Sequence, residues 1–596
     1  MYEITNEDLN LVLQQSASPQ TPRLILEVLD ANQKVIGIIT TLLSGNMNIS
    51  SESEVRRNGN FTVVPTLKEK IRLHPDDLIW MNKDLRLKLG LYNIREKRYN
   101  YYTLAYFVYE NTSFSYDATT NQISFSCSDF MRKLDGTKNG QLGALLINFD
   151  AYEKDADGNP LTDKDGNILK HNTIRDAVIT VLEQLGQISR YRVDDIGEYN
   201  GMPDYNDNFE KYRTEHETWN TLPYDEKFSC GCSVLSILTT FRDLYPNYEM
   251  FFDPSDNNRF ICQMIPFCYE DDVTLDNAFL QKVLISEDTT VDISTVRNIC
   301  EVWGQTIDTK FHTEDCTYSN NVYSCNIAGF DTKYYNNDTI SVKLPCANQK
   351  APKLDINHLG AIDIYAENTD SPLAANALNT GIYAFKIKKI KKDGEYLFRA
   401  YLLGQWQAHA LDVLSSGSAP ASDTYITSDG KTVPKYSKEY FRDKYNCDNV
   451  NITIIGNSPF TVQTLGEILD VKTGGEYEKI TSDSLALDRA IYENWKNCRL
   501  TDQITITTAL LPFLDVNKKV SYKPKNSGEE RQYIIKSVSH DFTGYTSTIT
   551  MYRFYPTYRS LLKEAGTHTT LSGYSHGVLG KYTNNELTTI LSKEDL

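Results

Sequence analysis

Residues 54–66, EVRRNGNFTVVPT, open the stretch that decides the fold; it passes through LIWMNKDLRLKLGLYN at 78–93 and ends in FSCSDFMRKLDGTKNGQLG at 125–143. Phe61 and Val63 alternate with Thr62 and Val64, the period of a half-buried strand. Leu85, Leu87 and Leu89 alternate with Arg86 and Lys88, and Gly90 is expected to close that run. Ile123 and Phe125 alternate with Ser124 and Ser126. A short helix is predicted over 128–134, stopped at Gly136, where a left-handed cap costs glycine nothing. Together these pieces read as one β-rich module.

Upstream, residues 1–20 read as a polar arm with a short helix, and RLILEVLDANQKVIGII at 23–39 predicts two buried strands around a turn at 30–33. Downstream, 173–186 carries apolar residues at helical spacing, Ile174, Ala177, Val178, Val181, Leu182 and Leu185, with Gly186 as the stop. Residues 195–229 read as an irregular insertion. A second helix is predicted at 233–244, then a hairpin in NYEMFFDPSDNNRFICQMIP around 253–258. SEDTTVDISTVRNICEVWGQ (286–305) starts another β-rich region, which runs past GIYAFKIKKIKKDGEYLFRAYLLGQ (381–405), a strand pair turning at Asp393 and Gly394. From 414 to 440 the sequence loosens into a linker or surface loop. A capped helix is expected at 481–500, presenting Leu487, Ile491 and Trp495 on one face. Strands QITITT, KKVSYK, RQYIIKSV and STITMYRFYP follow, and 559–596 is a polar Gly/Ser/Thr-rich tail.

A chain of 596 residues exceeds one core, and roughly three to five domains are expected. The net charge of −18 opposes a grip on phosphate. The nearest basic run, KIKKIKKDG at 386–394, reads as a solvated or edge-protecting strand face. The 39 tyrosines suit surfaces that become interfaces. The acidic, polar start MYEITNEDLN carries no signal peptide pattern, and no window offers the ~20 apolar residues of a membrane helix, so synthesis and folding in a cytoplasm are expected. Eleven cysteines without framework spacing predict reduced thiols.

Motifs with catalytic or metal chemistry fail on spacing. Gly573-Tyr574-Ser575-His576-Gly577 is a formal G-x-S-x-G, but no histidine follows His576 to complete a triad. His216-Glu217 lacks a second histidine at Asn220. The D-G-N turns at 157–159 and 165–167 lack the glycine position and closing glutamate of a calcium loop and read as hairpin turns. Cys230-Gly231-Cys232, with Cys262 and Cys268, departs from paired zinc knuckles. Cys316 and Cys325 flank a predicted TYSNNVYS hairpin and are expected as a reduced pair that could bridge in air. No catalytic, cofactor-binding or metal-binding residue is assigned, and no enzymatic activity is expected.

The ordered set Arg56, Arg57, Gly59, Phe61, Trp80, Asp129, Met131, Leu134, Asp135 and Gly136 resembles the N-terminal region of phage baseplate hub proteins: the Tal-like, tail-associated hubs of long tails and the hubs of contractile tails. YPNYEMFFD leading to F-x-C-Q, the 286–305 strand and the helix-then-sheet ending resemble later parts of the same family. The resemblance implies a mainly β fold with α/β insertions. It implies two similar β-barrel-like tube domains per chain, in a pseudo-sixfold homotrimeric ring. The divisions expected are 1–143 (first tube domain), 144–285 (inserted α+β lobe), 286–410 (second tube domain, first part), 411–480 (inserted lobe), 481–560 (second tube domain, closing part) and 561–596 (tail). It further implies a structural virion protein at the tail tip or baseplate, joining the distal tail protein or tail tube to a spike or fibre and the tape-measure protein. DNA would pass through its channel without specific binding, and an acidic lumen would favour that passage. A distal tail protein, usually hexameric, or a wall-degrading or glycan-binding tail protein are the rival readings. The family's C-terminal peptidase or lysozyme module is not seen in this sequence.

Overall fold

The computed structural model describes residues 4–554 apart from 16–19, 111–113, 144–146, 152, 154–160, 162–171, 198–218, 224, 246–247, 267–272, 292–295, 331, 367–371, 379, 393–394, 418–422, 429, 455–457, 481–482 and 500–501. The tail, the G-x-S-x-G motif, His216-Glu217, Cys268, both D-G-N turns and the Asp393-Gly394 turn therefore lie outside the described residues.

Alternating apolar residues form the expected strands at the start of the chain. β1 (Arg23–Leu29) and β2 (Val35–Ile39) make a hairpin, its turn fixed by the Asp30 carboxylate, which accepts the Asn32 and Lys34 N–H groups at 2.9 Å each. β3 (Leu42–Ser50), β4 (Arg57–Val63), β5 (Asp84–Asn93), β6 (Arg98–Tyr109), β7 (Ser115–Asp117) and β8 (Gln122–Asp129) follow. The same sheet then takes β9 (Leu284–Val291), β10 (Asp502–Ala509), β11 (Lys519–Tyr522), β12 (Arg531–Asp541) and β13 (Thr546–Arg553). Among the described residues these thirteen strands form one nearly closed, barrel-like sheet in the order β9-β10-β13-β12-β3-β4-β8-β6-β5-β1-β2, with β11 on β12 and β7 on β8. Its two halves meet where β3 pairs antiparallel with β12, Asn48 opposite Ser539. One apolar core serves both halves: Leu26, Phe61 and Leu87 share it with Ile504, Val520 and Ile549.

Two local expectations need correction here. β5 does not end at Gly90 but runs on to Asn93, since Gly90 sits opposite Tyr101 and a Cβ there would lie 2.7 Å from that ring. The glycine makes room within the strand rather than ending it. The predicted 128–134 helix is shorter: Ser128 and Asp129 belong to β8, and only Phe130–Lys133 turn, as a 3-10 helix capped by Asp129.

Between the halves, helix Ile174–Thr180 continues as a π turn at Val181–Leu185, and helix Val234–Arg242 begins with a Ser233/Ser236 capping box. Strands Tyr248–Asp253 and Arg259–Met264 form the expected hairpin. Farther on, Ile299–Thr306 lies in a four-stranded sheet beside Gln407–Ser415, while Gly381–Lys392 and Glu395–Gln405 pair within an eight-stranded sheet. In that pair Lys388 and Lys389 lie over the rings of Tyr401 and Tyr396, at 4.7 and 4.6 Å from the centroids. The 414–440 stretch is not simply a linker. It holds the end of the Gln407–Ser415 strand, a hairpin of Thr424–Ile426 with Thr432–Pro434, and the start of helix Lys438–Tyr445. Helix Asp483–Arg499 buries Ala486, Ala490, Glu493 and Asn494, whereas Leu487 and Ile491 are half-buried. The cause is polar: buried Asp412 accepts Asn494 Nδ2 at 2.7 Å, and the small alanines let the helix come close. Among the described residues no helix is long and apolar enough to cross a membrane.

Candidate assembly surface

Arg56 and Arg57 stand at the entrance to β4, and both are buried. Arg56 pairs with Glu249, reaches Asp515 at 3.6 Å and lies 3.9 Å over the Phe251 ring. Arg57 pairs with Asp515 and donates from Nη1 to the Phe252 carbonyl at 3.1 Å. Its backbone N–H donates to Asp129 Oδ2 at 2.8 Å, while the Met131 N–H reaches Asp129 Oδ1 at 3.0 Å. Asn517 and Gln263 each donate to Glu249 at 2.7 Å. Burial would raise the Asp515 pKa, yet Arg57 and Arg56 bring it below the ordinary carboxylate value. At Asp129 burial prevails over the Arg57 charge and pushes the pKa up to about 6. The paired arginines thus clamp the first strands, the inserted hairpin and the closing strands at one buried point.

The other motif residues support this junction or its strand. Gly59 makes room for the Phe61 ring, since a Cβ there would meet Phe61 at 2.9 Å and the Asn46 carbonyl at 3.2 Å. Phe61 packs against Phe107 and Phe125. Met131 and Leu134 are buried, Asp135 accepts Arg132 at 2.8 Å, and Gly136 has φ +89°. Trp80 leads no strand: it lies in a bend ahead of β5. Glu249, Asp515 and Asn517 were not anticipated; the signal for the first two is a lone carboxylate in an apolar run, YEMFF and LLPFLDV.

On the side of the sheet away from the core, the cross-strand register aligns small polar residues in rows. One runs Thr507, Thr548, Ser539, Asn48, Asn58, Ser128 across six strands. A second runs Thr546, Asp541, Asn46, Asn60, Ser126, and a third Thr505, Thr550, Ser537, Ser50. Neighbours bond along the rows: Asn60 Nδ2 to Asn46 Oδ1 at 3.2 Å, Ser126 Oγ to Asn60 Oδ1 at 2.6 Å, and Thr505 with Thr550 at 3.3 Å. These rows contain no lysine or arginine; Asp541 lies in the second, and β9 continues the third with Asp288 opposite Thr505. Lys536, near their end, is paired with Glu52 at 3.1 Å. A depression of about 750 Å³ is lined by polar Asn46, Asn60 and Ser126, by Asp541, and by the rings of Phe61 and Phe114. Among the described residues these rows offer hydroxyls and amides and no lysine or arginine for phosphate.

Among the described residues β2 pairs only with β1 and exposes Ile36 (43 %) and Ile38 (45 %), and β9 pairs only with β10 and exposes Ile285 (60 %). Unpaired edges of this kind are templates for strand addition. As for metal chemistry, Cys230 is exposed, Cys232 half-buried and Cys262 buried, and among the described residues no group of three or more His, Cys, Asp or Glu is placed to hold an ion.

Residues 457–558 match the model of a domain of unknown function, DUF5048. No curated protein matches the chain. Among solved structures, the 43 kDa tail protein of prophage MuSo2 from Shewanella oneidensis aligns with 9% identity and a TM-score of 0.38, over 89% of this chain and 98% of that one. The tail protein of Neisseria meningitidis MC58 aligns with 7% identity and a TM-score of 0.39, over 89% and 96%. A chain of the phage P2 baseplate in its activated conformation aligns with 6% identity and a TM-score of 0.25, over 89% and 99%. At these TM-scores and identities the alignments do not establish a common fold or role.

Proposed function

We propose that this chain is a structural, non-enzymatic protein of a phage tail, located in the virion at the tail tip or baseplate, and that it works as the hub. The observation that carries the reading is the continuous sheet, whose strands β1–β8 and β9–β13 we read as two units, with β2 and β9 each paired on one side among the described residues. Two units per chain in a homotrimer make six, which matches a sixfold tube or distal tail ring on one side and a threefold spike or fibre on the other. In the proposed ring β2 of one copy meets β9 of the next in a head-to-tail contact that closes after three. The ordered residues around Arg56, Arg57 and Asp129 support the same assignment, because they build the junction that holds the two units in register.

In that ring the Ser/Thr/Asn rows face the channel. DNA and the tape-measure protein pass a wall that hydrates them without ion pairing, and the overall charge of −18 per chain opposes phosphate binding as well. The stretches 144–283 and 299–480, which among the described residues give no strand to the continuous sheet, are assigned to the outer lobes. Solution mass measurement tests the reading: three times 68.0 kDa is expected. Six copies would move the assignment to a distal tail ring, and a stable monomer under assembly conditions would remove it.

A further inference from the structure

Cys316 opens a strand, Cys316–Ser319, that lies at the edge of the eight-stranded sheet, and Cys325 closes its partner, Val322–Cys325. The two cysteines stand directly opposite each other in the antiparallel register. The flanking pair is hydrogen-bonded, with the Asn326 N–H donating to the Asp315 carbonyl at 3.0 Å, and the Cys325 carbonyl accepts the Asn357 N–H on the other side. Cys316 and Cys325 are therefore a non-hydrogen-bonded pair, whose Cα atoms come to about 4.5 Å, inside the window of roughly 4.4–6.8 Å that a disulfide spans. Both are free thiols, with their sulfurs 3.0 Å apart. Cys325 is buried and donates its S–H to Cys316, which is partly open to solvent.

We infer that Cys316 and Cys325 form a redox-responsive pair, reduced in a thiol-buffered cytoplasm and oxidised to a disulfide by low-molecular-weight disulfides outside it. The Cys316 thiolate attacks one sulfur of the small disulfide; a new S–S bond forms, the old one breaks, and one small thiolate leaves. The Cys325 thiolate then attacks the Cys316 sulfur and expels the second small thiolate. Two protein thiols are oxidised, one small disulfide is reduced, and the two protons pass to the two small thiols. Geometry sets this order, because Cys316 is the sulfur that solvent reaches. The hydrogen bond to Cys316 and burial both push the Cys325 thiol up, in keeping with its role as the second attacker. The product locks a hairpin whose outer strand, among the described residues, pairs with the sheet only through Val322–Cys325.

The test is a thiol map of the full-length protein equilibrated in graded mixtures of reduced and oxidised glutathione, acid-quenched, alkylated and digested without reduction. The expected result is a Cys316–Cys325 linked peptide lacking two hydrogens, with both residues lost from the alkylated fraction and the buried Cys127, Cys262 and Cys300 still alkylated after unfolding. Cys325→Ser is expected to leave glutathione bound at Cys316, whereas Cys316→Ser leaves Cys325 unmodified. Full alkylation of both residues in oxidised glutathione overturns the inference, as does linkage of either to a different cysteine. The wild-type map decides the matter even where a variant fails to fold.

Discussion

Arg57 meets its carboxylate partner across 458 residues of sequence, and Arg56 meets Glu249 across 193. Removing one side of such a buried pair strands the other charge. Arg57→Ala or Asp515→Ala is therefore expected to cost about 3–5 kcal/mol, read as an earlier urea transition. Nearby, His540 is buried with Nδ1 2.9 Å from Ser547 Oγ, and burial together with the Arg57 charge lowers its pKa from 6.5 to about 4. A depressed histidine stabilises the fold above pH 6.5 and loses that contribution as the pH falls toward 4, by up to about 3 kcal/mol. Asp129 has the opposite sign. Its raised pKa gives a contribution that is present in acid and lost as the pH rises through about 6. His540→Gln is thus expected to tolerate pH 4.5 better than the parent, relative to each protein's own stability at pH 7, and Asp129→Asn to tolerate it worse. Urea midpoints at the two pH values check both. The arginine pair stood out in the sequence, but its partners did not, because nothing local ties residue 57 to residue 515.

Strands were the most legible elements. Alternation at Leu85, Leu87 and Leu89, and the Asp30 turn, marked β5 and the β1–β2 hairpin, because each pattern is complete within a few residues. Gly90 misled, because a glycine that admits a cross-strand tyrosine looks in sequence like one that stops a strand. The Asp483–Arg499 helix misled for a related reason: Asp412, 82 residues from the Asn494 it holds, helps choose the buried face, on which Leu487 and Ile491 are only half-buried. The free edges make a prediction at this scale. Ile38→Lys and Ile285→Lys touch exposed side chains and are expected to change stability by no more than about 0.5 kcal/mol. Each is expected to abolish the trimer, which sedimentation and a melting curve on the same sample separate.

The whole molecule shows what no local pattern displays. The Ser/Thr/Asn rows arise from six strands drawn from both ends of the chain, and they exist only once β3 pairs with β12. Each strand alone reads as an ordinary polar face. Their uncharged chemistry leads to a direct measurement. Wild-type protein is expected to show no retention of double-stranded DNA on a filter at low salt. The triple substitution Asn48→Arg, Asn58→Arg, Ser539→Arg is expected to retain it, with a log–log salt slope of about −3 per copy. Retention by the wild type would argue against the channel assignment.

The buried junction also bears on how the protein is made. A nascent chain exposes Arg56 and Arg57 early, yet Asp515 leaves the ribosome only after more than four hundred further residues. Until then the arginines lack one of their two carboxylates, and β12, which adjoins β3 on the side away from β4, is not yet available. On the proposed trimer, truncated products therefore cannot present a finished pair of units to their neighbours, and assembly is expected only from chains whose translation has passed that aspartate.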